Sequence, residues 1–528
     1  MQKKKIIVCD ALHESGLKLL EECKNIDFID ASKEPKDKLL TMVGEYDVAI
    51  TRSSTDVDQK FLDVSGDIKA IVRAGVGVDN VDIDGCSKKG IIVMNVPTAN
   101  TIAAVELTMA HLLSTARSFP NANNHLKYDR IWKREKWYGV ELKDKKIGVI
   151  GFGNIGSRVG KRALAFEMDV IAYDPYIDPS IVTDTGAKYT KDFNDILSCD
   201  YITIHTPKND ETIGMIGSDE IAKMKDGVRL INCARGGLYD EDALYNGVKS
   251  GKIAYAGIDV FIKEPATDNK LLDLENISVT PHLGANTKES QQKIATQAVE
   301  QAMSAAFGVG YPHSLNLPID ESKLPSFVKP YLELSQKIGY LASQVNKGYI
   351  KSIRIEAEGE IAAYLDSLKT FALVGALKDA LGEKINYVNA EFVAEEKAIE
   401  LCTKETTNRS AYKNKIKIKL TTDQNSLEIG GTVFADSREK IISVNDIKLE
   451  FTPKGRILFF ANEDKAGVIA NISRILSDAN INIADFRLGR NSQKEALAVV
   501  LVDQEVTKDV LKELNDLSEC YWASIARV

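Results

Sequence analysis

Residues 146–166 read KIGVIGFGNIGSRVGKRALAF. An apolar strand runs into GFGNIG (151–156), and an amphipathic helix follows without a break. The three glycines, Gly151, Gly153 and Gly156, have the spacing that a tight turn, close ligand approach and strand-to-helix packing require. The new helix N-terminus gathers backbone N–H groups that attract a pyrophosphate. Asp174 lies 18 positions after Gly156, at the end of the next apolar run, DVIAYD (169–174). That is where the diol of an adenosine ribose is held. Its charge repels a 2′-phosphate and no arginine follows in DPYIDPS, so NAD is expected rather than NADP.

Outward from this turn, apolar runs alternate with helical stretches. Downstream lie YITIHTP (201–207), VRLINCARGG (228–237), YAGIDVF (255–261) and NISVTPH (276–282). Upstream lie KIIVCD (5–10), DVAITR (47–52), IKAIVRAG (68–75) and GIIVMN (90–95), then a helix over 103–117. Such alternation predicts two Rossmann-like, doubly wound parallel sheets. SLNLPIDESKLPSF (314–327) reads as a linker, and a helix is expected over 328–347. IKIKLTT (416–422), SLEIGGTVFAD (426–436) and IKLEFTP (447–453) alternate like antiparallel strands of an α+β domain. From 456 onward the order is strand, helix, strand, strand, helix, with room for a strand near 521–528, a ferredoxin-like module.

A chain of 528 residues accommodates three or four domains. With 44% hydrophobic and 27% charged residues it has a globular composition. A net charge of −8 argues against a general nucleic-acid binder but permits a local basic pocket. The seven cysteines show no CxxC spacing, so reduced thiols, no metal and a cytoplasmic setting are expected. The apolar run after MQKKK stops at Asp10, too soon for a signal peptide, and no run suggests a membrane span.

Three strand ends carry chemistry. Arg235 follows VRLIN, Glu264 follows YAGIDVF, and His282 closes NISVTPH. Open α/β sheets bind ligands at such ends, so the three are expected to converge. Oxidising a 2-hydroxy acid needs a base for the hydroxyl proton, which His282 supplies, and a carboxylate to orient it, Glu264. It also needs a fork to grip the carboxylate and polarise the forming carbonyl, Arg235. Gly236 and Gly237 are expected to admit nicotinamide and substrate to the backbone. Arg52 and Arg73 end two further strands, and the glycines of RAGVG (73–77) offer an N–H nest, so a polyanionic substrate is expected. His111 reads as a core or interface histidine, and His205 as lining the cofactor cleft.

TRSST, VRAGVGVDNVD, GFGNIG, YDP, HTP, NCARGGLYDEDAL, AGIDVF, EP and TPHLGANTKES together resemble the D-isomer-specific 2-hydroxy-acid dehydrogenases. The likeness is dense to about residue 311. It extends through NAEFVAEEKAIEL (389–401) to the last module, which resembles an ACT domain. The resemblance implies NAD-dependent oxidation of D-3-phosphoglycerate to 3-phosphohydroxypyruvate, the first step of L-serine biosynthesis. It implies catalytic roles for Arg235, Glu264 and His282. Cofactor contacts are implied for the three glycines with Asn154 and Ile155, for Asp174, and for Thr206, Ala234, Asp259 and Gly284. Substrate contacts are implied for Arg52, Ser53, Arg73, Gly75, Val76, Gly77 and Asn100. Arg134 is implied to reach a neighbouring subunit's substrate in a homodimer or homotetramer.

The implied domains are a substrate lobe (1–98 with 286–315), an NAD lobe (99–285), an intervening domain (316–452) and an ACT-like domain (454–528). L-serine is the expected inhibitor, held near Asp464, Gly467 and Asn482. Val76 and Lys465-Ala466 depart from the family, whose members often carry threonine or serine, and a proline, at those places. Two other readings compete. One is a glycerate or hydroxypyruvate reductase of the same superfamily, disfavoured by the long C-terminal extension and the paired arginines. The other is an NAD-sensing, corepressor-like binding protein, disfavoured by the ACT-like module.

Overall fold

The strand Lys146–Ile150 stands inside a seven-stranded parallel sheet. Its order is Ile277–Val279, Ile253–Ile258, Val228–Asn232, Tyr201–Ile204, Lys146–Ile150, Asp169–Tyr173, Lys188–Thr190. Ile147, Val149, Ile150, Ile202, Ile204, Leu230 and Ile231 are fully buried, as expected of strands covered by helices on both faces. Strand order reverses between Lys146–Ile150 and Tyr201–Ile204, which opens a crevice at their carboxyl ends.

The computed structural model describes residues 3–319, 324–406, 411–435 and 437–528, and it falls into two compact units. The first comprises Met1–Val57, Val64–Val81 and Met94–His313. It contains this sheet and most of a five-stranded parallel sheet ordered Ile26–Asp30, Lys4–Val8, Val48–Thr51, Ala70–Arg73, Ile92–Asn95. The helix Thr101–Arg117 leads from one sheet to the other, and Lys288–Ala306 returns to pack on Glu14–Glu22. That packing is close: a Cβ on Gly16 would sit 2.9 Å from the Ala295 carbonyl oxygen.

The second unit comprises Asp58–Asp63, Asp82–Val93 and Ser314–Val528. The expected linker falls partly on 320–323, outside the described residues, as does position 436 of the expected strand 426–436. Helices Val328–Val345 and Leu365–Leu381 cross closely, since a Cβ on Gly339 or on Gly375 would overlap a carbonyl of the facing helix. They cover a six-stranded sheet ordered Glu400–Thr406, Ile350–Glu358, Lys415–Thr422, Ser426–Val433, Glu439–Val444, Ile447–Phe451. The outermost pair at the Glu400–Thr406 edge is parallel and the rest antiparallel.

The C-terminal module has the expected βαββαβ order, with an antiparallel sheet ordered Ile483–Arg490, Glu495–Val502, Arg456–Glu463, Cys520–Arg527. Side chains along Arg456–Glu463 alternate between two cores. Ile457 and Phe459 join the core of the larger sheet and its helices. Leu458 and Phe460 join the module's own helices.

Candidate active site

Strands Val228–Asn232, Ile253–Ile258 and Ile277–Val279 are neighbours in the sheet, so the loops leaving them meet. Glu264 Oε2 lies 2.7 Å from His282 Nδ1, and Glu264 Oε1 accepts the Phe261 N–H at 3.0 Å. Burial alone would raise the Glu264 pKa. Hydrogen bonds from His282 and Phe261, with the charges of His282 and Arg235, hold it below the usual carboxylate value. An ionised carboxylate only accepts, so Nδ1 of His282 carries a proton toward Glu264, which leaves Nε2 as the ring nitrogen that exchanges a proton with substrate. His282 has φ +54, a left-handed conformation held by its N–H bonding to the Asp259 carbonyl at 2.9 Å. The Asp259 carboxylate, fully buried, accepts from Thr280 Oγ1 (2.6 Å), Leu283 N–H (2.7 Å) and Gly284 N–H (2.9 Å).

The three arginines converge. Arg235 Nε donates to Asp79 Oδ2 at 3.1 Å and its Nη1 to the Ala234 carbonyl at 2.7 Å. Its Nη2 lies over Gly77, where a Cβ would overlap it, and Arg73 Nη1 lies over Gly75 in the same way. Arg73 is lowered to about 10, first by burial and then by the charges of Arg235 and Arg52, and its Nε is buried without a partner. A cation so crowded favours an anion among the three. Arg52 Nη1 donates to the Ala11 carbonyl and Nη2 to Gln291 Oε1, both at 2.9 Å. Buried Asp10 accepts the Arg52 N–H and Thr55 Oγ1, and Asn80 Nδ2 ties the Arg52 and Thr55 carbonyls. The Val76 carbonyl accepts from Asn95 Nδ2 at 2.7 Å. Asn100 caps the helix Thr101–Arg117, its carbonyl taking the Ala104 N–H.

A cavity of about 790 Å³ holds Glu264, His282 and Thr280 with Ser53 and Lys36 on its wall. Arg134 sits on the exposed turn Arg134–Trp137 and is not on this wall. Asp79, Gln291 and Asp10 escaped the sequence reading, because nothing local marks a carboxylate or amide that acts by reaching a distant arginine; Lys36 escaped it as one exposed lysine at the start of a short helix.

Gly236 requires a correction. A Cβ there would overlap the Phe261 carbonyl, so it is glycine to let two backbones pass, not to admit a ligand. Gly237 is glycine because its φ is +91.

The dinucleotide turn fits its cofactor. Gly151 has φ +82, and a Cβ on Gly156 would overlap the Gly151 carbonyl. Gly153 has no protein atom within 4 Å of the Cβ position, which leaves that face open. Asn154 is exposed and Ile155 and Ala234 are half-buried. Asp174 Oδ2 accepts the Phe152 N–H at 2.8 Å and Oδ1 the Tyr176 N–H at 3.0 Å, which presents the carboxylate beside the turn. Thr206 Oγ1 is buried with no partner, a hydroxyl suited to a ligand. Burial lowers His205 to about 3, so it stays neutral beside Thr203.

In the C-terminal module a cavity of about 410 Å³ is lined by Asn462, Asp464, Lys465, Gly467 and Arg490, among others. Arg490 pairs with Asp464 at 3.5 Å, and Asn462 Oδ1 is buried without a partner. Asn482 is not on this wall: its Nδ2 donates to Asp503 Oδ2 at 2.7 Å. Asn462 was missed in the sequence because it lies within an apolar strand and reads as core.

This fold and site define an NAD-dependent dehydrogenase of the D-isomer-specific 2-hydroxy-acid class, and residues 109–284 match the family model "D-isomer specific 2-hydroxyacid dehydrogenase, NAD binding domain". Residues 327–445 match "D-3-phosphoglycerate dehydrogenase intervening domain" and 456–519 match "ACT domain". The chain belongs to the D-3-phosphoglycerate dehydrogenase family, being 37% identical to the Bacillus subtilis member over 98% of both chains. It is also 37% identical to the Methanocaldococcus jannaschii member, over 97% of this chain and 98% of that one. Among solved structures, the TT0316 protein of Thermus thermophilus aligns with TM-score 0.55 and 29% identity, over 59% of this chain and 99% of its own. D-lactate dehydrogenase of Aquifex aeolicus, complexed with NAD and lactic acid, gives 0.51 and 29%, over 58% and 96%.

Proposed function

We propose that the protein oxidises D-3-phosphoglycerate at C2 to 3-phosphohydroxypyruvate, the first step of L-serine biosynthesis. The observation that carries this reading is that Arg73 is crowded by the charges of Arg235 and Arg52, while the charge of Arg235 also reaches Glu264 of the His282–Glu264 pair, so a group of cations adjoins one base. Arg235 grips the substrate carboxylate in its fork and polarises the C2–oxygen bond. Arg52 and Arg73, with the N–H groups of Val76 and Gly77 and the hydroxyl of Ser53, hold the phosphate end, the Gly75 N–H being given to the Arg73 carbonyl at 2.8 Å. Nε2 of His282 takes the C2 hydroxyl proton, and Glu264 stabilises the imidazolium that results. The chemistry that NAD would supply when bound is a hydride acceptor for C2. Gly151 to Gly156 cradle its pyrophosphate and Asp174 its ribose diol, with Thr206, Ala234, Asp259 and Gly284 toward the nicotinamide.

Residues 1–98 with 286–315 serve as substrate lobe, 99–285 as NAD lobe, 316–452 as intervening domain and 454–528 as effector domain. Phe119, Leu126, Tyr128, Trp132 and Tyr138 are exposed, an apolar stretch suited to burial against a second copy, in keeping with a homodimer or homotetramer. Arg134 on that stretch would then serve the neighbour's substrate. The Asn462–Asp464 cavity suits an amino acid, and L-serine, the end product, is its ligand.

The test is NADH absorbance with purified protein and NAD on adding 3-phosphoglycerate, D-glycerate or D-lactate separately. Turnover of the phosphorylated acid alone supports the proposal. Turnover of D-glycerate in its place makes the protein a glycerate or hydroxypyruvate reductase. NAD binding without turnover of any acid makes it a binding protein.

A further inference from the structure

His111 stands on the helix Thr101–Arg117 and is only 2% exposed, yet the chemistry above does not use it. Its ring packs against Gly257, where a Cβ would lie 3.1 Å from Nδ1. Its Nε2 is 2.9 Å from Thr280 Oγ1, which is 2.6 Å from Asp259 Oδ1. We propose that His111 and Thr280 form a directed hydrogen-bond relay that positions the catalytic loop through Asp259.

The direction follows from counting protons. Burial pushes the Asp259 carboxyl up, and against it one hydroxyl and two backbone N–H groups converge on the two oxygens, donors that favour the ionised form, which only accepts. Thr280 has one hydroxyl proton and gives it to Asp259. It must therefore accept from His111, so Nε2 of His111 carries the ring proton. Nδ1 is then bare, and it is indeed buried without a partner. A protonated ring would need an acceptor at Nδ1, and burial, which lowers His111 to about 4, keeps the ring neutral.

The relay ends where strain is held. His282 occupies a left-handed backbone conformation that histidine does not favour, fixed by the Asp259 carbonyl, while the Asp259 carboxylate pins the next two N–H groups. Without the Thr280 hydroxyl, Asp259 loses a donor and the turn from Thr280 to His282 loses its tie. The ring then drifts from Glu264 although no group touching the substrate has changed. His111 and Thr280 are thus positioning residues.

The inference rests on the dehydrogenase reading, so its test has one arm that needs no turnover. In the wild type, ¹⁵N shifts of the His111 ring are expected to report a neutral, Nε2-protonated tautomer at pH 6, and Thr280→Val to abolish that preference. A ring protonated at Nδ1 in the wild type overturns the relay even if no acid is oxidised. In the kinetic arm, Thr280→Val is expected to lower kcat about ten- to a hundredfold, the weight of one hydrogen bond to a charged group, with KM for the acid nearly unchanged. Thr280→Ser and His111→Gln, which keep a donor at each place, are expected to restore most of kcat. His111→Leu combined with Thr280→Val is expected to be no slower than Thr280→Val alone, because the two act in series. Equal loss in Thr280→Ser and Thr280→Val, or additive losses in the double variant, overturn the proposal. Melting temperature and NAD affinity, followed in each variant, separate misfolding from mispositioning.

Discussion

Gly75 and Gly77 carry no side chain because two guanidiniums lie where their Cβ atoms would be. The obstacle at Gly77 is the far end of a flexible arginine, so the fold can absorb a methyl group while the reactive fork cannot. Gly77→Ala is expected to lower kcat/KM by about a hundredfold or more, the scale of losing one oriented donor to a developing oxyanion, with little change in melting temperature. Steady-state kinetics beside a thermal melt checks this, and native kcat/KM would mean that Arg235 works from another position. The glycines of RAGVG were read as an N–H nest for an anion, and the guanidiniums that lie over them were not foreseen. Arg235 reaches Gly77 from another strand and leaves no mark on local sequence, and the same is true of Gly236, which makes room for the backbone at Phe261. Asp79 was equally silent, since its bond to Arg235 spans 156 positions.

At the level of elements, the strand–turn–helix of 146–166 was legible because each part of it is local: an apolar run, glycines at fixed spacing, an amphipathic helix. The carboxyl-end placement of Arg235, Glu264 and His282 followed once the strands were recognised. What sequence could not give was strand order, which makes those three loops neighbours. Asp174 is held by the N–H groups of Phe152 and Tyr176, so its carboxylate belongs to the glycine turn as much as to its own strand. Asp174→Ala removes both a diol contact and a repulsion toward 2′-phosphate. It is expected to raise KM for NAD about ten- to a hundredfold and to narrow the preference over NADP. Parallel assays with both cofactors decide, and unchanged constants with both would mean that the carboxylate serves only the turn.

Across the whole molecule, the second unit couples a cavity to a shared core. Asn462 Oδ1, buried and unpartnered, lines the cavity of the C-terminal module, and its strand also supplies Ile457 and Phe459 to the core of the larger sheet. If L-serine is the ligand, it lowers turnover of the wild type, and Asn462→Leu requires about tenfold or more serine for the same effect, as one lost hydrogen bond would require. Titration of serine against both forms checks this, and an active wild type indifferent to serine would leave the module a role in assembly alone. The strand Arg456–Glu463 has a further consequence, for the history of such chains. Because alternate side chains serve different cores, the module was not simply appended like a tag; its outer face had to be fitted to the sheet that receives it. A hybrid joining this C-terminus to a relative's dehydrogenase should therefore inherit Val328 to Phe451 along with it, and a junction cut at Pro453 would leave an apolar wound on both pieces.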